Sequence, residues 1–148
     1  NPKLHNLYYN WAQLFEKRNR YPEAVDFYLQ EIQDSPKSFR ALFNLSRVYR
    51  LMGREEEEAG ALRKTIEANP DFPLAYFQLA RIELKRGRDL EEAISLTKKG
   101  IDLEPGPAEL PLGYFLLADL YNRVGNSALS EEYARKGQAA AAAVQRKN

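Results

Sequence analysis

The stretch RALFNLSRVYRLMGR at residues 40–54 returns 34 residues later as LAYFQLARIELKRGR, and again as LGYFLLADLYNRVGN at residues 112–126. A period of this length constrains the fold more than any local pattern. Each copy must be one supersecondary unit that buries its apolar face only by stacking on its neighbours. Pro36, Pro70 and Pro105 close equivalent segments, with spacings of 34 and 35 residues. The copies pair Ala41 with Ala75, Phe43 with Phe77, Leu45 with Leu79, Arg47 with Arg81 and Gly53 with Gly87. The earliest copy, NLYYNWAQLFEKRNR at residues 6–20, has Trp11 in the leucine slot and Asn19 in the glycine slot.

Every copy carries helical periodicity. Leu42, Leu45, Ser46 and Tyr49 fall at i, i+3, i+4 and i+7, which places them on one stripe of an α-helix. Gly53, Gly87 and Gly125 then stand where a helix end calls for a left-handed residue, and Asn19 is the best non-glycine substitute. A second helix is predicted after each turn: PEAVDFYLQEIQ, EEEEAGALRKTIEA, LEEAISLTKKGIDL and LSEEYARKGQAAAA. Pro22 fits a first helical turn, where its missing N–H costs nothing. Glu55 to Glu58, Glu91 and Glu92 favour the positive ends of helix dipoles. The expectation is an all-α chain of eight helices in four antiparallel pairs.

The repeat resembles that of the tetratricopeptide (TPR) family. The resemblance rests on large-x-x-large-small-x-x-aromatic first helices: Tyr8, Trp11, Ala12 and Phe15; Leu42, Leu45, Ser46 and Tyr49; Tyr76, Leu79 and Ala80; Tyr114, Leu117, Ala118 and Tyr121. Small residues Ala24 and Ala93 stand twelve positions before Pro36 and Pro105. The match covers nearly the whole chain. It implies an α-α superhelix (a TPR solenoid) formed by a single domain of residues 1–148, with repeats at approximately 5–38, 39–72, 73–107 and 111–144. First helices would line the concave side of that superhelix. Four departures stand out: Glu83 in an aromatic slot, Glu58 in a small slot beside Ala59, the inserted Asp89, and the long connector EPGPAELP, which is expected to change the angle of repeat 4.

The first helices also repeat a second stripe, which such a groove would expose. It reads Asn6, Tyr9, Gln13, Glu16 and Lys17; Arg40, Phe43, Arg47, Arg50 and Leu51; Leu74, Phe77, Arg81, Leu84 and Lys85; Leu112, Phe115, Asp119, Asn122 and Arg123. Aromatic rungs recur at Tyr9, Phe43, Phe77 and Phe115, with Arg47 and Arg81 one turn later. The stripe holds Lys17, Arg40, Arg47, Arg50, Arg81, Lys85 and Arg123 against only Glu16 and Asp119, although the whole chain has a formal net charge of +1. Aromatic faces bury apolar side chains and guanidinium groups bind carboxylates in pairs. The expected ligand is therefore an extended or helical, acidic segment of another protein. It would be read by Tyr9, Gln13, Arg40, Phe43, Asn44, Arg47, Arg50, Phe77, Arg81, Lys85, Phe115, Asp119 and Arg123. In the plainer alternative the rungs pack on one another and the arginines are solvated or paired with Glu16 and the glutamate-rich turns. One branch of the family clamps chaperone C-terminal carboxylates, and its clamp positions correspond here to Tyr9, Gln13, Asn44, Leu74 and Gln78. Only Asn44 agrees, so that specificity is rejected.

Other classes find less support. The chain has no cysteine, which excludes disulfides and thiolate chemistry, and its single histidine, His5, has no oriented acid–base partner in the sequence. No cofactor, metal site or catalytic role is expected, since REEEEAG fans its carboxylates around a helix end. Near-neutral charge argues against nucleic acid, although interleaved aromatics and arginines keep single-stranded RNA as the rival ligand. No apolar run reaches the roughly 18 residues that a membrane helix needs. The start, NPKLHNLYYN, reads as the interior of a longer protein, and a cytoplasmic setting is slightly favoured over a periplasmic one. The ending QAAAAAVQRKN offers a frayed terminus or a seam for self-association. A structural or recruiting array attached to a larger enzyme or an envelope or secretion assembly is the alternative function.

Overall fold

A computed structural model describes residues 6–147, so the reading of His5 lies outside the described residues. Those residues form eight α-helices and no strand: α1 (Leu7–Lys17), α2 (Tyr21–Asp34), α3 (Phe39–Leu51), α4 (Glu55–Ala68), α5 (Pro73–Arg86), α6 (Leu90–Asp102), α7 (Leu110–Arg123) and α8 (Ser127–Gln145). Two compact units result, the first ending at Pro70 and the second beginning at Asp71.

Turn chemistry sets the helix ends as the repeats predict. Gly53, Gly87 and Gly125 have φ of 70°, 67° and 81°, and Asn19 takes the same left-handed conformation at φ 57°. At three turns the closing bonds match: Arg20 N donates to Phe15 O, Arg54 N to Tyr49 O and Asn126 N to Tyr121 O, at 2.9, 2.9 and 2.8 Å. These bonds satisfy carbonyls that a helix end otherwise leaves open. In the third repeat Gly87 N closes on Glu83 O at 2.9 Å, and the inserted Asp89 is itself left-handed at φ 51°. Glu55 to Glu58 and Glu91 with Glu92 occupy first turns, as the dipole argument requires.

In the first unit α1 packs on α2, α2 on α3 and α3 on α4. Ala12, Ala24 and Ala41 are fully buried, so their helices approach closely, and Val25, Tyr28, Leu45 and Val48 fill the space between. Glu58 and Ala59 are both buried. One leucine-slot residue departs from this pattern: Trp11 is 44% exposed, whereas Leu45 is 3% exposed. Trp11 instead joins a ring ladder with Phe15 and Phe27, its centroid 6.1 Å from each, and Phe15 stacks on Phe27 at 5.3 Å.

In the second unit α5 packs on α6 and α7, α6 on α7, and α7 on α8. Ala80 and Ala93 are fully buried small residues, with Ile94, Leu117, Leu120 and Tyr121 around them. The long connector holds a left-handed Glu104 at φ 55°, and Glu109 N donates to Gly106 O at 2.9 Å just before α7. Glu83, in the aromatic slot, is buried and pairs with Arg86 at 3.3 Å.

Candidate interaction site

On the first unit, α1 and α3 bring Tyr9, Gln13, Asn44 and Arg47 of the predicted stripe together. The Tyr9 hydroxyl accepts from Asn44 Nδ2 at 2.9 Å and from Gln13 Nε2 at 3.1 Å, which ties α1 to α3. Asn44 is nearly buried, so this amide belongs to a polar seam between helices. One turn further on, the Glu16 carboxylate receives Arg47 through Nε at 2.8 Å and Nη2 at 3.0 Å, together with the Tyr28 hydroxyl at 2.9 Å. A single carboxylate therefore joins α1, α2 and α3. A two-pronged guanidinium–carboxylate pair fixes orientation as well as charge. Burial, first, and the nearby Glu16 charge push the Tyr28 hydroxyl well above the usual phenol range. The hydrogen bond to Glu16 raises the already basic Arg47 further.

Two open concavities flank this seam. One, of about 250 Å³, is lined by Gln13, Glu16, Lys17, Arg47 and Leu51 among others. The other, of about 300 Å³, is lined by Asn6, Tyr9, Asn10, Ser38 and Arg40. The Arg47 side chain remains 41% exposed despite its ion pair. Leu51 is half-exposed, Arg40 and Arg50 are exposed, and Phe43 is half-buried.

In the second unit the aromatic rungs have another role. Phe77, read from the sequence as a groove rung, is 4% exposed and lies in the core. A methyl group at Gly100 would come 2.6 Å from Phe77 Cε1, and one at Gly113 would come 2.7 Å from Phe77 Cζ. The ring thus fills a socket that two glycines open on α6 and α7. Phe115 is 38% exposed, yet it lies similarly over Gly137 of α8, 2.8 Å from where a methyl would stand. Arg81 Nε donates to Gln78 Oε1 at 2.9 Å. Arg123 Nη2 sits 2.8 Å from the place of a Gly87 methyl, so the cation covers the C-terminal end of α5, where the helix dipole is negative. Lys85 and Asp119 are exposed.

The sequence offers Glu16 as a partner for the groove arginines only in the plainer alternative, and it gives no sign of Tyr28 beside it. Sequence reasoning had also passed over the glycine sockets, for which the signal was present: Gly100 and Gly137 stand inside predicted helices, where glycine is costly without a packing reason.

The geometry and the repeats agree with comparisons to known proteins. One tetratricopeptide-repeat family model matches residues 9–71 and a second matches residues 61–95, so together they span more than half of the chain. The chain belongs to the tetratricopeptide-repeat family. Among solved structures it is similar to MamA, with a TM-score of 0.84 at 15% identity over 99% of this chain and 83% of that one. It is also similar to BtubC from P. vanneervenii, with a TM-score of 0.82 at 17% identity over 98% of this chain and 66% of that one. YrrB, described as a TPR protein with an unusual peptide-binding site, aligns with a TM-score of 0.74 at 19% identity, over 90% of this chain and 66% of that one. These likenesses establish the fold. Comparison with curated proteins found no match. Among the described residues, no helix of this tetratricopeptide chain is long and apolar enough to cross a membrane.

Proposed function

We infer that this tetratricopeptide chain is a non-catalytic protein-interaction module whose four repeats act as one domain. Its α1–α3 face receives an acidic, extended or helical segment of a partner protein. One observation carries this reading. Arg47 is held rigid by Glu16 through two bonds yet keeps 41% of its side chain open, in a concavity that also offers Lys17 and the half-exposed Leu51. An immobilised guanidinium loses little freedom when it accepts a further carboxylate, and pre-organisation of this kind favours binding. Arg40 and Arg50 continue the positive face along α3, so an acidic segment laid along that helix meets three arginines and an apolar side chain.

The second-unit aromatics are absent from this reading because Phe77 fills a glycine socket. The peptide-binding site in the description of YrrB is an analogy in its favour. The test is affinity capture from source-cell lysate with wild type beside an Arg40→Glu, Arg50→Glu variant. Bound proteins are identified by mass spectrometry, and a synthetic acidic segment of any candidate is then titrated. A partner kept by wild type, lost by the folded variant and bound through that segment supports the α1–α3 face. Equal capture by both removes it. RNA whose affinity falls steeply with salt would establish the nucleic-acid alternative instead.

A further inference from the structure

Second helices of the second unit also carry organised chemistry. A furrow of about 260 Å³ runs between α6 and α8, walled by Lys98 and Asp102 on one side and Tyr133 and Lys136 on the other, over Tyr114 and Leu117 of α7. Tyr121 and Tyr133 stack at 5.5 Å with planes 8° apart, and Tyr114 stands 6.2 Å from Tyr133. Each ammonium rests on one ring of the stacked pair. Lys98 Nζ lies 5.6 Å from the Tyr121 centroid, and Lys136 Nζ lies 4.8 Å from that of Tyr133. Attraction between cation and ring face favours positions along the furrow for both lysines, whose side chains stay exposed. Proximity to Tyr121 raises the already basic Lys98 further.

The first unit has the same furrow at the same repeat positions, with different contents. Leu29 stands there in place of Lys98, Leu42 in place of Tyr114 and Ala61 in place of Tyr133, while Lys64 matches Lys136. Tyr49, Glu57 and Lys64 also line the first-unit furrow, so the architecture requires neither the Tyr114–Tyr133 ring pair nor a second lysine at this place. What distinguishes the second copy is a second lysine facing the first and two tyrosines where the first copy has Leu42 and Ala61.

We propose that the α6–α8 furrow binds a carboxylate-bearing segment of a partner protein that carries an adjacent apolar side chain. The carboxylate lies between Lys98 and Lys136, and the apolar group rests on Tyr114 and Ile101. Asp102 gives the furrow direction, because it repels the anion at its own end and accepts a backbone N–H of the segment there. Lys136 currently pairs with Glu132 at 2.8 Å, with both side chains about half exposed. An exposed pair of this kind is weak and exchanges readily for a better-placed carboxylate. This furrow belongs to a different unit from the α1–α3 face and stands independently of that reading.

The full chain, isotope-labelled, is titrated with the peptide acetyl-Glu-Phe-Asp-Phe-Glu-amide while lysine and tyrosine side-chain resonances are followed by NMR. Saturable shifts are expected at Lys98, Lys136 and Tyr133, and the amide-matched peptide acetyl-Gln-Phe-Asn-Phe-Gln-amide should not reproduce them. Lys98→Leu, which installs the residue found in the first unit, should weaken binding roughly tenfold, the usual scale for one charge-assisted contact. Lys136→Gln, at an exposed position that leaves the fold untouched, should weaken it in the same direction. Absence of saturable shifts at these residues, wild-type affinity in both lysine variants, or equal binding of the amide peptide would each overturn the assignment. Shifts confined to the neighbourhood of Arg47 would do so as well, while supporting the α1–α3 face.

Discussion

Two helical glycines of the second unit, with one of the first unit as a control, offer the sharpest test of how the second unit is packed. Replacing a helical glycine by alanine removes backbone freedom from the unfolded chain and gains roughly 0.5–1 kcal/mol where space allows. Gly60 of α4 has nothing within 4 Å of an added methyl, so Gly60→Ala should gain that amount. At Gly100 the methyl would meet Phe77 at 2.6 and 3.0 Å, and the ring is buried, with Gly113 also close against its Cε1 and Cζ, so it has little room to retreat. Overpacking of a buried ring costs about 1–3 kcal/mol, which exceeds the propensity gain. Gly100→Ala is therefore expected to destabilise by about 1 kcal/mol or more. Gly137→Ala meets Phe115 at 2.8 Å, but that ring is 38% exposed and swings toward solvent, so its net effect should lie between the other two. Urea unfolding followed by far-UV circular dichroism gives all three values. A double variant, Gly100→Ala with Phe77→Leu, should recover about 1 kcal/mol relative to the sum of the single changes, because the clash is shared. If Gly100→Ala stabilises as much as Gly60→Ala, the socket reasoning is wrong.

Phe77→Ala should cost about 3–5 kcal/mol in the same assay, the range for emptying a buried aromatic site, whereas a groove rung would cost little stability. Glu16→Ala should destabilise by about 2 kcal/mol, because it strips the acceptor from both Arg47 and the buried Tyr28 hydroxyl. Arg47→Ala should cost less, since Glu16 keeps the Tyr28 bond and Arg47 is partly exposed. Tyr28 also sets a pH dependence. Its folded pKa lies above its unfolded value, so the stability it contributes is complete below about pH 10 and drains away as the solution becomes more basic. Burial raises Tyr49 and Tyr76 in the same direction. Urea midpoints should thus fall above that pH in wild type and fall less steeply in Tyr28→Phe; parallel falls would refute the assignment.

The 34-residue period was enough to specify the secondary structure. Helical stripes and left-handed turn residues are local instructions repeated in every copy, and local backbone preferences do not depend on what lies across the core. EEEEAGALRKTIEA was legible to the residue as α4 for that reason. The candidate site was legible only as a set of helix positions. Periodicity says which residues share a stripe, but whether that stripe meets solvent or a neighbouring helix depends on the volume opposite it. Tyr9, Phe43, Phe77 and Phe115 occupy one slot of the repeat and differ in burial. Phe77 sinks inward because Gly100 and Gly113, 23 and 36 residues downstream, leave room for its ring. Arg47 and Arg81 likewise share a slot, and only tertiary packing gives Arg47 the carboxylate of Glu16 and the hydroxyl of Tyr28 beside it. The sequence alone determined the helices and the faces they present. The tertiary structure decided which of those faces remain open, because cavity volume and charge pairing arise between segments rather than within one.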